Sequence, residues 1–103
     1  MTEAAQEKWR NVRPLRRSEA EGLNVSRGAL GQFLADQFEE AFGLKVDEVM
    51  FETFPDGLYA TLYVEGAGAT AHNVWAVAVA SALSDAGVDV NVVVRATSDR
   101  LEA

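Results

Sequence analysis

LYATLYVEGAGATAHNVWAVAVASALSDAGVDVNVVVRA, residues 58–96, changes its hydrophobic period twice, and the two changes decide the fold. In LYATLYVE (58–65), Leu58, Ala60, Leu62 and Val64 alternate with Tyr59, Thr61, Tyr63 and Glu65. That period of two belongs to a strand with two unlike faces. After GAGAT (66–70) the spacing becomes helical from Ala71 to Asp85. Val74, Trp75, Val77, Ala78, Val79, Ala82 and Leu83 wrap nearly around that cylinder, and only His72, Asn73, Ser81, Ser84 and Asp85 interrupt them. Such a helix is expected to be buried on more than one side. Ala86-Gly87 stops it. VDVNVVVRA (88–96) then returns to alternation, with Val88, Val90, Val92, Val94 and Ala96 on one face and Asp89, Asn91, Val93 and Arg95 on the other. Strand, helix and strand make a βαβ crossover, which is expected to be right-handed.

Upstream, KVDEVMFETF (45–54) also alternates: Val49, Phe51 and Thr53 oppose Glu48, Met50, Glu52 and Phe54. Pro55-Asp56-Gly57 is turn chemistry, since proline presets one dihedral and glycine supplies a positive one. The two strands therefore form a β-hairpin. Before it, Leu30, Phe33, Leu34, Phe38, Ala41 and Phe42 recur at helical spacing, with Ser26 as N-cap and Gly43 as C-terminal stop. LRRSEAEGLNVS (15–26) has no clear period and reads as an extended linker, with a short fourth strand near residues 22–26 as a variant. TEAAQEKWRNVR (2–13) has helix-forming residues and ends at Pro14.

The expected fold is α+β: a two-layer sandwich of order α-β-β-α-β, with a three-stranded sheet and two helices on one face. The chain divides into a basic N-terminal arm and linker (1–27), the α+β domain (28–97) and a polar tail (98–103). A fourth strand would give a ferredoxin-like order. The order resembles ring-forming and type II KH-like modules in outline, which implies a fold and not a function.

At 103 residues the chain is one domain, and a small one whose stability a partner subunit would raise. It has no cysteine, which excludes disulfides, thiolate chemistry and cysteine metal sites. MTEAAQEKWR has no apolar core of a secretory signal, and no apolar run approaches a membrane span. The expectation is a cytoplasmic protein without membrane contact. Charge is uneven: residues 1–17 carry Lys8, Arg10, Arg13, Arg16 and Arg17 against Glu3 and Glu7, a net +3, which leaves −10 of the total −7 for the rest. The acidic body argues against nucleic acid as its partner.

Three places could carry function. The first is the junction of Gly66, Gly68, Thr70 and His72, a glycine turn feeding a helix N-terminus, where free amides and the dipole favour an anion. The plainer account is a connection that lets the helix pack closely. His72, the single histidine, would be held neutral by the dipole and is read as a surface or capping residue, since Thr70, Asn73 and Asp99 are not fixed near it. The second place is the sheet face of Met50, Phe54, Tyr59, Tyr63 and Val93, which is more apolar and aromatic than a solvated face requires. Its carboxylate neighbours Glu48, Glu52, Glu65 and Asp89 would repel the phosphates of an RNA. With Asp47 they could also bind a hard cation, but no calcium-loop pattern is present, and no metal or cofactor is expected.

The third place is KWRNVRPLRR (8–17), with Lys8, Trp9, Arg10, Val12, Arg13, Leu15, Arg16 and Arg17 as contact residues. It reads as an assembly arm, with Trp9, Val12 and Leu15 as anchors on the acidic body of a neighbouring copy. It also reads as a nucleic-acid tether, or as a solubilising tail. The leading expectation is a non-enzymatic assembly module, a self-associating subunit of a ring-like or virion-type complex. The alternatives are a nucleic-acid- or ribosome-associated protein acting through the arm, and a small anionic-ligand domain at Gly66–His72.

Overall fold

The computed structural model describes residues 15–67 and 70–98. Its elements are α1 (Arg17–Val25), α2 (Arg27–Phe42), β1 (Glu48–Phe54), β2 (Gly57–Val64), α3 (Thr70–Asp85) and β3 (Asn91–Ala96). Strands β1 and β2 pair antiparallel, β2 and β3 pair parallel, and β2 lies in the middle. The fold is α+β, and the described residues include one helix where the sequence suggests a linker.

That helix is α1. The segment expected as a linker, with a strand near 22–26, is helical because tertiary contacts supply what its period lacks. Ala20 and Leu23, one turn apart, are both buried in the common core. Asn24 Nδ2 donates to the Gly87 carbonyl at 3.1 Å, tying α1 to the loop after α3. At the start, the Arg16 backbone N–H donates to Glu19 Oε1 at 3.0 Å, half of a capping box. The reciprocal half cannot form, because an arginine side chain has no acceptor.

Ser26 alone separates α1 from α2. Its extended backbone breaks the helix, and its Oγ accepts from the Ala29 N–H at 3.1 Å, as expected of an N-cap. Gly43 closes α2 in the left-handed region at φ 70°, its N–H bonded to Glu39 O at 2.7 Å. Helix α2 buries Leu30, Gly31, Leu34 and Phe38. An ideal Cβ on Gly31 would lie 3.4 Å from Phe51 Cε2, so α2 crosses over β1 at van der Waals distance there.

Register fixes the faces. Phe54 pairs with Gly57 across Pro55 and Asp56, so the hairpin loop is two residues long. Ala60, Leu62, Val64 and Val94 are buried under the helices, and Val49, Phe51, Leu58 and Val92 pack against them. Helix α3 lies chiefly on β3 and buries Trp75, Ala76, Val79 and Leu83. It packs on β3 and, through His72 and Trp75, against Phe38 and Phe42 of α2. Val74 and Val77 remain 37% and 70% exposed, so one flank of this apolar helix stays open. The hydrophobic density of α3 exceeds what the single sheet below it can cover.

Leu23→Ala should cost about 2–5 kcal/mol, the usual loss for a buried leucine. Urea unfolding of the full chain measures it. An unchanged midpoint would mean that α1 adds nothing to the core.

Candidate functional site

The sheet has a second face that no helix of the described chain covers. Three rows cross it from β1 through β2 to β3: Glu48, Tyr63 and Arg95; Met50, Thr61 and Val93; Glu52, Tyr59 and Asn91. Phe54 ends β1 on the same side, opposite Gly57. All five residues expected on this face (Met50, Phe54, Tyr59, Tyr63 and Val93) therefore share it. Above them lies an open trough of ≈ 660 Å³, lined by strand and turn residues that include Phe54, Asp56, Tyr59, Tyr63, Val93 and Arg95.

One wall of the trough is built by the hairpin. Phe54 is 45% exposed, yet its ring is set edge-on to Tyr59, with centroids 5.2 Å apart and planes at 86°. Tyr59 Oη donates to Asp56 Oδ2 at 2.8 Å. The hydrogen bond to Asp56, and then its negative charge, raise the Tyr59 hydroxyl above the ordinary 10.0. Tyr59 is thus a neutral phenol with its ring held by two neighbours. Held aromatic side chains contribute contact area at little entropic cost. The floor is Thr61 and Val93, and charge enters at the sides, with Glu52 and Asp56 at one and Arg95 at the other.

Of the junction candidates, Gly66, Thr70 and His72 are among the described residues. Gly66 has φ 80°, Thr70 is exposed at the first residue of α3, and Gly68 lies outside the described residues. His72 turns into the core. It is 6% exposed, which corrects its reading as a surface or capping residue. Phe38 and Phe42 meet its ring edge-on at 5.2 and 4.7 Å between centroids, and both also meet Trp75. Its Nδ1 is buried without a hydrogen-bond partner. Burial lowers its pKa from 6.5, so a neutral imidazole sits in an aromatic box.

Of the carboxylates, Asp47 accepts from Thr97 Oγ1 at 2.6 Å, and Asp89 accepts from Ser84 Oγ at 3.4 Å. These bonds tie loops to neighbouring elements. Among the described residues no three or more His, Asp or Glu side chains gather where they could hold a metal ion. Of the arm, Leu15 packs partly buried against the core, and Arg16 and Arg17 start α1. Lys8, Trp9, Arg10, Val12 and Arg13 lie outside the described residues. No helix among the described residues is long and apolar enough to cross a membrane.

Sequence reasoning left five trough residues out of the candidate face: Glu52, Pro55, Asp56, Thr61 and Arg95. Asp56 was legible only as turn chemistry, and Glu52 only as one of several acidic neighbours. Arg95 has the parity of Val93 and could have been found from it. Compared with known proteins, the chain matches no family model, no curated protein and no solved structure.

Two titrations probe these environments. Tyr59 should ionise above an ordinary tyrosine by ultraviolet titration, and Asp56→Asn should bring it down. For His72 the unfolded chain binds a proton near the ordinary value while the folded chain resists, so its contribution to stability is complete above about pH 6.5 and falls as pH drops below it. His72→Phe should therefore flatten the loss of stability between about pH 7 and pH 5, read by urea unfolding at each pH. An unchanged slope would place the titrating group elsewhere.

Proposed function

We propose that this protein is a non-enzymatic interaction module, a small subunit that associates with copies of itself through the open face of its sheet. The observation behind the reading is the trough of Phe54, Tyr59, Tyr63 and Val93, aromatic and apolar at its centre and charged at its sides. Interfaces are built this way: aromatic residues are enriched at the centre and charge is moved to the rim. A small-molecule site would enclose most of its ligand, whereas this trough is floored by a sheet and open above. A small domain also gains stability from covering such a face.

The charge split favours a second reading. The net +3 of residues 1–17 suits phosphate contacts, with Trp9 available for stacking. It requires binding to single-stranded nucleic acid that weakens steeply with salt and disappears when Lys8, Arg10 and Arg13 are changed to glutamine.

The test of the first reading is solution mass by light scattering on the full chain over a wide concentration range. The wild type should gain mass with concentration. Val93→Asp, which sets a charge in the middle row, should remain monomeric. A wild type that is monomeric throughout, at low and at high salt, would end this reading.

A further inference from the structure

We infer that the occupant of the open face is a second copy of the same chain, turned over about a two-fold axis that runs parallel to β2. This rests on the self-association proposed above and adds the geometry. The symmetric pair is the commonest closed assembly, and its interface must be complementary to itself. The rows of this sheet can be tested for that property.

Two simple axes bring the face onto itself. An axis perpendicular to the strands keeps each strand over its own copy and reverses its direction. Centred on the Met50, Thr61 and Val93 row, it lays Glu48 over Glu52 and acid over acid along β1. Like charges in register cost several kcal/mol. An axis parallel to β2 keeps position along the strands and exchanges the edges, so that β1 lies over β3 of the second copy. Glu48 then faces the second copy's Arg95, and Met50 faces its Val93. Tyr59, Thr61 and Tyr63 each face themselves down the middle. Every row becomes complementary: acid to base at one end, apolar to apolar in the centre, and Glu52 to the amide of Asn91 at the other.

The dimensions suit this. Packed sheets lie about 10 Å apart and tolerate a rotation of about 30° between strand directions. Long glutamate and arginine side chains at the rim span that gap, while the aromatic rings fill the centre. Three strands make a face only about 14 Å wide by roughly 20 Å long, so the pair belongs to the weaker class of interface and needs high concentration to be seen. The preset wall of Phe54 and Tyr59, held by Asp56, lowers the ordering cost of forming it.

The pairing makes a prediction that other modes of self-association do not share. Arg95→Glu leaves the rim wholly acidic, and Glu48→Arg makes it basic at both ends of its row. Each variant alone should weaken the homodimer roughly tenfold or more. Mixed in equal amounts, the two should restore a heterodimer, because both crossed pairs are again opposite in sign. Sedimentation of full-length wild type, each variant and the mixture reads this, with circular dichroism confirming the fold. A second measurement avoids the charges. The chain has no cysteine, so Thr61→Cys carries a single thiol. A short bis-maleimide should join two copies through it.

If the wild type dimerises but neither variant weakens it and Thr61→Cys does not cross-link, this pairing is wrong and association uses another surface. If Thr61→Cys resists even a monofunctional maleimide in dilute monomer, the chain's own N-terminal segment covers the face, which also overturns the pairing. A wild type that never dimerises removes both this inference and the reading beneath it.

Discussion

The alternation along β2 is the constraint on which the rest depends. As the middle strand, β2 is hydrogen-bonded along both edges, so its side chains are sorted only by face. Ala60, Leu62 and Val64 meet α2, α3 and the tip of α1 in a single core. Tyr59, Thr61 and Tyr63 have only β1 and β3 beside them. A one-residue slip in the hairpin would exchange the two sets, placing tyrosine hydroxyls under the helices and valine in water. The two-residue loop at Pro55-Asp56 holds that register. Gly57 follows it at φ 142°, a conformation that side chains rarely adopt.

The helical layer is joined by aromatic rings. Phe38 and Phe42 on α2 interlock with His72 and Trp75 on α3, so that two helices far apart in sequence form one packed unit. Phe38, Trp75 and Leu34 are among the most fully buried side chains in the molecule. A histidine within this cluster trades an unsatisfied nitrogen for edge-on ring contacts. An unpaired buried polar atom typically costs about 1–3 kcal/mol, a penalty the surrounding rings must offset. The same burial favours the neutral form of the His72 ring.

The candidate site was partly legible beforehand. Parity along three strands placed Met50, Phe54, Tyr59, Tyr63 and Val93 on one face, because the period of a strand is a property of the backbone and needs no tertiary knowledge. The pinning of Tyr59 by Asp56 was not legible, since it depends on how the turn folds its carboxylate back over the strand. His72 was misread for a related reason. Its place in the first turn of α3 says nothing about which way the helix is rolled, and the roll is set by Trp75 and Val79 seeking the core.

By itself the sequence determined the strands, the hairpin turn, the caps at Ser26 and Gly43, and the two helices whose apolar period is strong. These follow from local stereochemistry and from repeat patterns that a short window contains. Tertiary structure alone decided three things. It made α1 a helix, although RSEAEGLNV carries only Ala20 and Leu23 to bury, because the core offered those two side chains a place and Gly87 offered Asn24 an acceptor. It left one flank of α3 bare, because a three-stranded sheet is too narrow to cover a helix apolar on most of its circumference. And it brought Glu48, Tyr63 and Arg95 into one row, because register across a parallel crossover depends on how the helix between the strands packs, a distance no local pattern encodes.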